Sequence, residues 1–171
     1  MSKGQIHIYT GNGKGKTTAA LGLSLRAVCS GKKVYFGQFV KGMEYSELKA
    51  PEYLPGFEIR QFGRDCFIFN DPTDEDRAAA RKGLEICRQV IEEGRHDIVV
   101  LDELNIALHY KLFSVEEAIE LVKSKKDHQE LIITGRYAPQ ELLDLADLVT
   151  EMKEIKHYYK KDLEARKGIE F

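Results

Sequence analysis

Residues 5–31 constrain this chain more than any other stretch. Ile6 and Ile8, with His7 and Tyr9, read as a short strand. Residues 10–16, Thr-Gly-Asn-Gly-Lys-Gly-Lys, then hold three glycines and two lysines, and the Ala/Leu-rich run from Thr17 to Ser30 predicts a helix that stops at Gly31. Successive backbone N–H groups in such a turn make a concave anion site, and the following helix adds its unpaired donors and positive dipole end. A triphosphate is the natural guest.

The side chains agree with that guest. Lys16 stands where a phosphate-loop lysine reaches the outer phosphates, Thr17 supplies a hydroxyl suited to Mg²⁺, and Lys14 is a second cation. Without an anion the two lysines would repel each other, which favours nucleotide binding over a bare glycine-rich turn. The loop departs from G-x-x-x-x-G-K-[ST] in one respect: aligned on Gly15-Lys16-Thr17, the first glycine falls on Thr10, and Gly11 follows one place later.

The rest of the chain alternates strand and helix patterns. Residues 33–40 read as a second buried strand, whose end brings Gln38, Lys41 and Gly42 toward the loop. Residues 43–55 read as an irregular connection containing Pro51 and Pro55, and residues 57–62 as a third strand. Residues 63–72, with Arg64, Cys66, Phe67 and Phe69, suit either a substrate-binding lid or a satellite core cluster. Thr73 with Asp76 predicts an N-cap, and Ala80, Leu84, Cys87 and Ile91 recur at helical spacing up to Gly94.

The second strong signal is Asp97-Ile-Val-Val-Leu-Asp-Glu103, an apolar strand ending in two carboxylates. Such a strand brings acids to the phosphate loop, so Asp102 and Glu103 are the metal-side candidates. Residues 104–110 should continue over the top of the sheet. Ser114 and Glu117 predict a capping box, with Val115, Ala118, Ile119 and Val122 facing inward. Residues 130–134 read as a strand delivering Arg136 to the ligand edge, 139–146 as a short helix and 148–155 as the last strand. Ile169 and Phe171 predict a tail that packs back. Together these elements predict an α/β fold, a three-layer P-loop NTPase-like domain over residues 1–171 with a mostly parallel central sheet flanked by helices.

Composition narrows the function classes. The formal net charge is −2 and no basic field is present, which argues against nucleic acid as a partner. Three cysteines without C-x-x-C spacing argue against a disulfide framework and a zinc site, and five scattered histidines lack metal-ligand spacing. No apolar run approaches the roughly 20 residues needed to span a bilayer, and the first strand starts too early for a targeting peptide, so a soluble cytoplasmic protein is expected.

Residues 10–18, 38–42, 100–105 (Val-Leu-Asp-Glu-Leu-Asn), 134–136, 146–151, 156–157 and 168–171 (Gly-Ile-Glu-Phe) together resemble the P-loop type of ATP:cob(I)alamin (corrinoid) adenosyltransferase. The resemblance runs in order through nearly the whole chain and includes the shifted first glycine. It implies a transferase, usually a homodimer, that moves the 5′-deoxyadenosyl group of ATP onto Co(I) of a corrinoid and releases tripolyphosphate. It also implies ATP in a reversed orientation, and a flavoprotein reductase as the partner supplying Co(I). By position, Thr10, Gly11, Asn12, Gly13, Lys14, Gly15, Lys16, Thr17 and Thr18 would hold ATP with Arg26 and Arg136. Thr17 and Glu103, with Asp102, would hold Mg²⁺; Lys16, Thr17 and Glu103 would carry catalysis. Lys41, Phe67 and Phe69 are the corrinoid candidates. Some members carry an arm before the first strand, expected to be absent here, and an aromatic stretch with tryptophan where this chain has Gly63-Arg-Asp-Cys-Phe-Ile-Phe69.

The implied chemistry suits the residues. With cobalt as nucleophile and C5′ as target, the loop, lysine and metal would stabilise the whole triphosphate as leaving group. Co(I) carries no proton, so no general base is required, and the sequence offers no convincing one. Two other readings use the same residues: a small-molecule kinase or ATPase, and a nucleotide-dependent corrinoid carrier.

Overall fold

The computed structural model describes residues 3–64, 71–161 and 163–171. Among these described residues six strands form one sheet: β1 (Ile6–Thr10), β2 (Val34–Phe39), β3 (Phe57–Phe62), β4 (Ile98–Asp102), β5 (Glu130–Thr134) and β6 (Leu148–Glu151). Their order is β3-β2-β4-β5-β1-β6 and every pairing is parallel. The expected mostly parallel sheet is thus parallel throughout, and every strand end carrying a candidate residue points the same way.

Among the described residues six α-helices accompany the sheet: α1 (Lys16–Cys29), α2 (Ala50–Tyr53), α3 (Asp74–Glu93), α4 (Leu104–His109), α5 (Val115–Lys123) and α6 (Gln140–Leu143). Alternation along the strands divides the core between the two faces of the sheet. Ile98 and Val100 of β4 pack with Phe36, Ile132 and the α1 residues Ala20 and Ala27. Val99 and Leu101 pack on the opposite face with Ala80, Leu84, Cys87 and Ile91 of α3 and with α4 and α5. The central strands β2, β4 and β5, covered on both faces, read as near-continuous buried runs, whereas the edge strand β6 is exposed throughout.

The helix starts follow from local chemistry. Thr73 and Asp76 close a reciprocal capping box, as do Ser114 and Glu117, so each helix begins with its orphan donors satisfied. In α5 the buried residues are Ala118, Leu121 and Val122, while the expected inward residues Val115 and Ile119 are only partly buried. Gly83, in the middle of α3, permits its close approach to β3: a Cβ there would lie 2.4 Å from the Phe62 ring. Gly83→Ala, although it raises helix propensity, is expected to destabilise the protein by about 1–3 kcal/mol through overpacking. A urea midpoint equal to or above that of the unchanged protein would contradict this contact.

Three boundaries differ from the sequence expectation. The irregular stretch 43–55 contains a 3₁₀ turn, Ser46–Lys49, followed by α2, with Pro51 in the first turn, where a missing N–H costs nothing. The last strand stops at Glu151, and the short helix expected over 139–146 is the single turn α6. The lid-or-cluster segment 63–72 falls largely outside the described residues.

Candidate functional site

The strands leave the sheet at one edge by unusual backbone turns. Gly11 follows β1 with φ 96°, Val40 follows β2 with φ 59°, Glu103 follows β4 with φ 58°, and Gly135 follows β5 with φ 127°. Tyr137, two residues further on, has φ 61°. A left-handed β-branched residue such as Val40 is strained, and such strain concentrates where a chain is turned to build a site. Val40 and Glu103 line a cavity of about 700 Å³ at the carboxyl ends of the strands, and Arg136, after Gly135, lines it too.

The phosphate loop forms one wall. Gly11 and Gly13 lie against the stretch after β6, where added Cβ atoms would come within 2.5 and 2.7 Å of the Met152 carbonyl oxygen, and the Gly13 N–H donates to that oxygen at 2.7 Å. Gly15, with φ 116°, turns the chain into α1. Lys16 is buried, and its Nζ donates to the Gly11 and Gly13 carbonyls at 2.9 and 2.7 Å. Burial lowers its pKa, opposed by the negative charge expected on Glu103. This lysine therefore braces the loop from inside while lining the cavity.

Asp102 organises the floor. It is fully buried, and its Oδ1 accepts from the Thr17 and Thr134 hydroxyls at 2.8 and 2.7 Å. Its Oδ2 accepts from Lys41 Nζ at 2.9 Å and Gln38 Nε2 at 3.2 Å. The carboxylate thus joins α1, β2 and β5 at one point. Burial works against the charge on Lys41, but Asp102 overcomes it and holds the ammonium above its ordinary pKa. Glu103 lines the cavity next door. Burial first, and then neighbouring Asp102, push its carboxyl up to about 6.

The β4 end does meet the phosphate loop, although β4 is not the neighbour of β1. β5 lies between them, and the meeting occurs at the start of α1, whose second residue, Thr17, hydrogen-bonds Asp102. Gly13, Lys14, Gly15, Lys16, Thr17 and Thr18 all line the cavity, as do Glu103 and Arg136. Thr10, Gly11 and Asn12 form the outer arm of the loop and are not among the described lining residues. Arg26 lies in the last turn of α1, on the order of 15 Å along the helix from the loop, and is also outside the lining.

Lys41, offered from sequence as a corrinoid candidate, does line the cavity. Its ammonium pairs with Asp102 at 2.9 Å and Glu47 at 3.8 Å and lies 4.9 Å from the centre of the Tyr45 ring. It serves as the centre of an ion-pair cluster at the cavity wall. Phe67 and Phe69 lie outside the described residues. The tail does fold back, but Ile169 and Phe171 remain 59% and 38% exposed, so polar contacts hold it in place of apolar burial.

Sequence reasoning did not single out Tyr45, Glu47, Ile106 or Tyr110 as site residues and quoted His157 only as part of a motif, yet all five line the cavity. Glu47 carried no local signal, because its importance comes from Lys41 and Gln38 across a chain turn. Asn105 was quoted only as part of a motif, yet its buried Nδ2 donates to the Gly135 carbonyl at 3.1 Å and fixes the turn before Arg136.

Comparison with known proteins gives a consistent picture. The sequence model of the family described as ATP:corrinoid adenosyltransferase BtuR/CobO/CobP matches residues 2–171. A corrinoid adenosyltransferase of Sinorhizobium sp. is 37% identical over 174 residues, covering 99% of this chain and 81% of that protein. The corrinoid adenosyltransferase of Escherichia coli K12 is 34% identical over 169 residues, with 99% and 86% covered. Corrinoid adenosyltransferase CobA of Salmonella typhimurium is 35% identical, with the same coverage.

Proposed function

We propose, from the premise that this chain belongs to the ATP:corrinoid adenosyltransferase family and is a transferase of that activity, that its phosphate loop and the Asp102 cluster seat the triphosphate of ATP during transfer of the 5′-deoxyadenosyl group to a corrinoid. The observation that carries the seating is the convergence of Lys16, Thr17, Glu103 and Arg136 on one cavity at the strand ends, with Thr17 anchored to Asp102.

In this reading the loop N–H groups, Lys14, Lys16 and Arg136 bind and orient the phosphates. As the carbon–oxygen bond at C5′ breaks and the carbon–cobalt bond forms, both electrons of the broken bond leave with tripolyphosphate, and these cations stabilise that charge. The cobalt of the corrinoid substrate supplies the electron pair, so no side chain has to remove a proton. Transfer onto Co(I), with a flavoprotein reductase as its source, belongs to the same proposal, as do a homodimer and a cytoplasmic setting. Among the described residues no helix is long and apolar enough to cross a membrane.

The donor set at the wall fits Mg²⁺. The Thr17 hydroxyl donates its hydrogen bond to Asp102 and so keeps oxygen lone pairs free, and Glu103 adds a hard carboxylate oxygen at the same wall. Among the described residues no cluster of three acidic, histidine or cysteine ligands exists. Mg²⁺ held mainly by phosphates and water with one or two protein oxygens needs none. When bound, the ion would neutralise phosphate charge.

The test is anaerobic mixing of the protein with MgATP and chemically reduced cob(I)alamin or shorter corrinoids. Loss of the Co(I) absorption band should require ATP, stop on chelation of Mg²⁺ and release tripolyphosphate stoichiometrically. Steady ADP release with no carbon–cobalt bond on any of these acceptors would overturn the assignment.

A further inference from the structure

Residues 166–171 form a strap across the rim of the cavity and touch two of its walls. Ser46 Oγ, on the 3₁₀ turn, donates to the Phe171 main-chain oxygen at 3.1 Å. Lys14 Nζ, on the phosphate loop, lies 3.2 Å from Glu170 Oε1 and 3.5 Å from the Ile169 carbonyl oxygen. Glu170 is the hub of the strap. It also accepts from the Tyr158 hydroxyl and from Arg166, whose main-chain N–H is 2.8 Å away and whose guanidinium is 3.3 Å away. Hydrogen bonds from Arg166 and Tyr158 hold its carboxyl below the usual carboxylate range. Its negative charge therefore persists at every working pH.

Lys14 is thus a phosphate-loop cation already facing a carboxylate. A triphosphate seated in the loop draws on the same ammonium and is repelled by the same carboxylate. The Lys14 side chain is 38% exposed, so the pair is a weak one that a multiply charged phosphate displaces. When the reaction ends, the inorganic product is more highly charged than ATP and has lost its adenosyl anchor, yet it must still leave the loop.

We propose that Glu170 is a positioning residue for the phosphate loop: it competes with bound polyphosphate for Lys14, weakening the hold on the anionic product and favouring its departure. The inference rests on the placement of the triphosphate in the loop proposed above. It assigns the strap a part in product release, through charge on a loop lysine and without contact with the reacting carbon or cobalt.

The experiment is calorimetric titration of inorganic tripolyphosphate, and separately of MgATP, into the full chain and its variants. Glu170→Gln keeps the size of the side chain while removing its charge, and should bind tripolyphosphate about two- to fivefold more tightly at low salt, a gap that shrinks as salt is raised. Glu170→Asp should restore the original affinity. In a Lys14→Ala background the same glutamine substitution should have a smaller effect, because the shared cation is gone. A strap that acts only as a wall predicts weaker or unchanged binding in Glu170→Gln, independent of Lys14, and that result overturns this inference alone. Failure of the unchanged protein to bind either ligand overturns it together with the phosphate placement.

Discussion

Lys16→Ala should lower the rate of adenosyl transfer at least about a hundredfold at saturating MgATP, while leaving the thermal unfolding midpoint within a few degrees of its starting value. Two physical losses act together. The ammonium is buried beside the cavity, where little water screens it, so its attraction for the triphosphate leaving group is stronger than that of a surface lysine. Removing one preorganised donor from such a site typically costs about 10²–10³ in rate. The same ammonium also draws the Gly11 and Gly13 carbonyls together, so the alanine variant loses a brace of the loop. Stability changes little because burial already opposes the charge. Single-turnover decay of Co(I) absorption measures the rate directly. A variant within tenfold of the unchanged protein would show that the loop N–H groups and Arg136 carry the leaving group without Lys16.

Much of the scaffold was legible because local chemistry and tertiary packing agree. β3 and β5 have the bounds expected from sequence, since each is a run of strand formers whose ends are set by turns. Thr73 with Asp76 and Ser114 with Glu117 announce their helices through a cap needing only four consecutive residues. The phosphate loop and the Asp102-Glu103 pair were equally local signals. What sequence did not reveal depends on residues distant in the chain. Lys41 reads as a loop lysine until β2 and β4 pair and bring Asp102 to it. Glu47 and Tyr45 matter only because the stretch after β2 folds back over that lysine. Arg26 fell on the expected helix, but helical rise carries it to the end away from the cavity. The tail looked apolar in Ile169 and Phe171, whereas its hold on the rim comes from Glu170.

Asp102→Ala should be the most destabilising single change at the site, costing about 3–5 kcal/mol. The lost carboxylate leaves the Thr17 and Thr134 hydroxyls without their acceptor and strands the Lys41 ammonium, whose side chain is only 13% exposed, beside the more distant Glu47. Breaking a buried ion pair by removing one partner leaves an uncompensated charge, which accounts for most of this figure. For a chain of this size each kcal/mol lowers the melting temperature by roughly 2–4 °C, so a fall of about 6–20 °C is expected. The pH dependence has a definite sign. Lys41 is raised above the ordinary lysine value of 10.5, so the stabilisation from its pairing is fully present below that value and disappears as pH rises through the folded pKa. The stability gap between the unchanged protein and Asp102→Ala should therefore stay constant from neutrality to about pH 10 and narrow only in stronger alkali. Adding Lys41→Met to Asp102→Ala removes the stranded charge and should recover most of the stability. It should not recover adenosyl transfer, because the Thr17 hydroxyl still lacks the carboxylate that orients it toward the phosphates and the metal. A double variant that regains both stability and turnover would mean that Asp102 serves the fold alone. One that regains neither would place the cost in the hydroxyl contacts, with the ion pair a minor contributor.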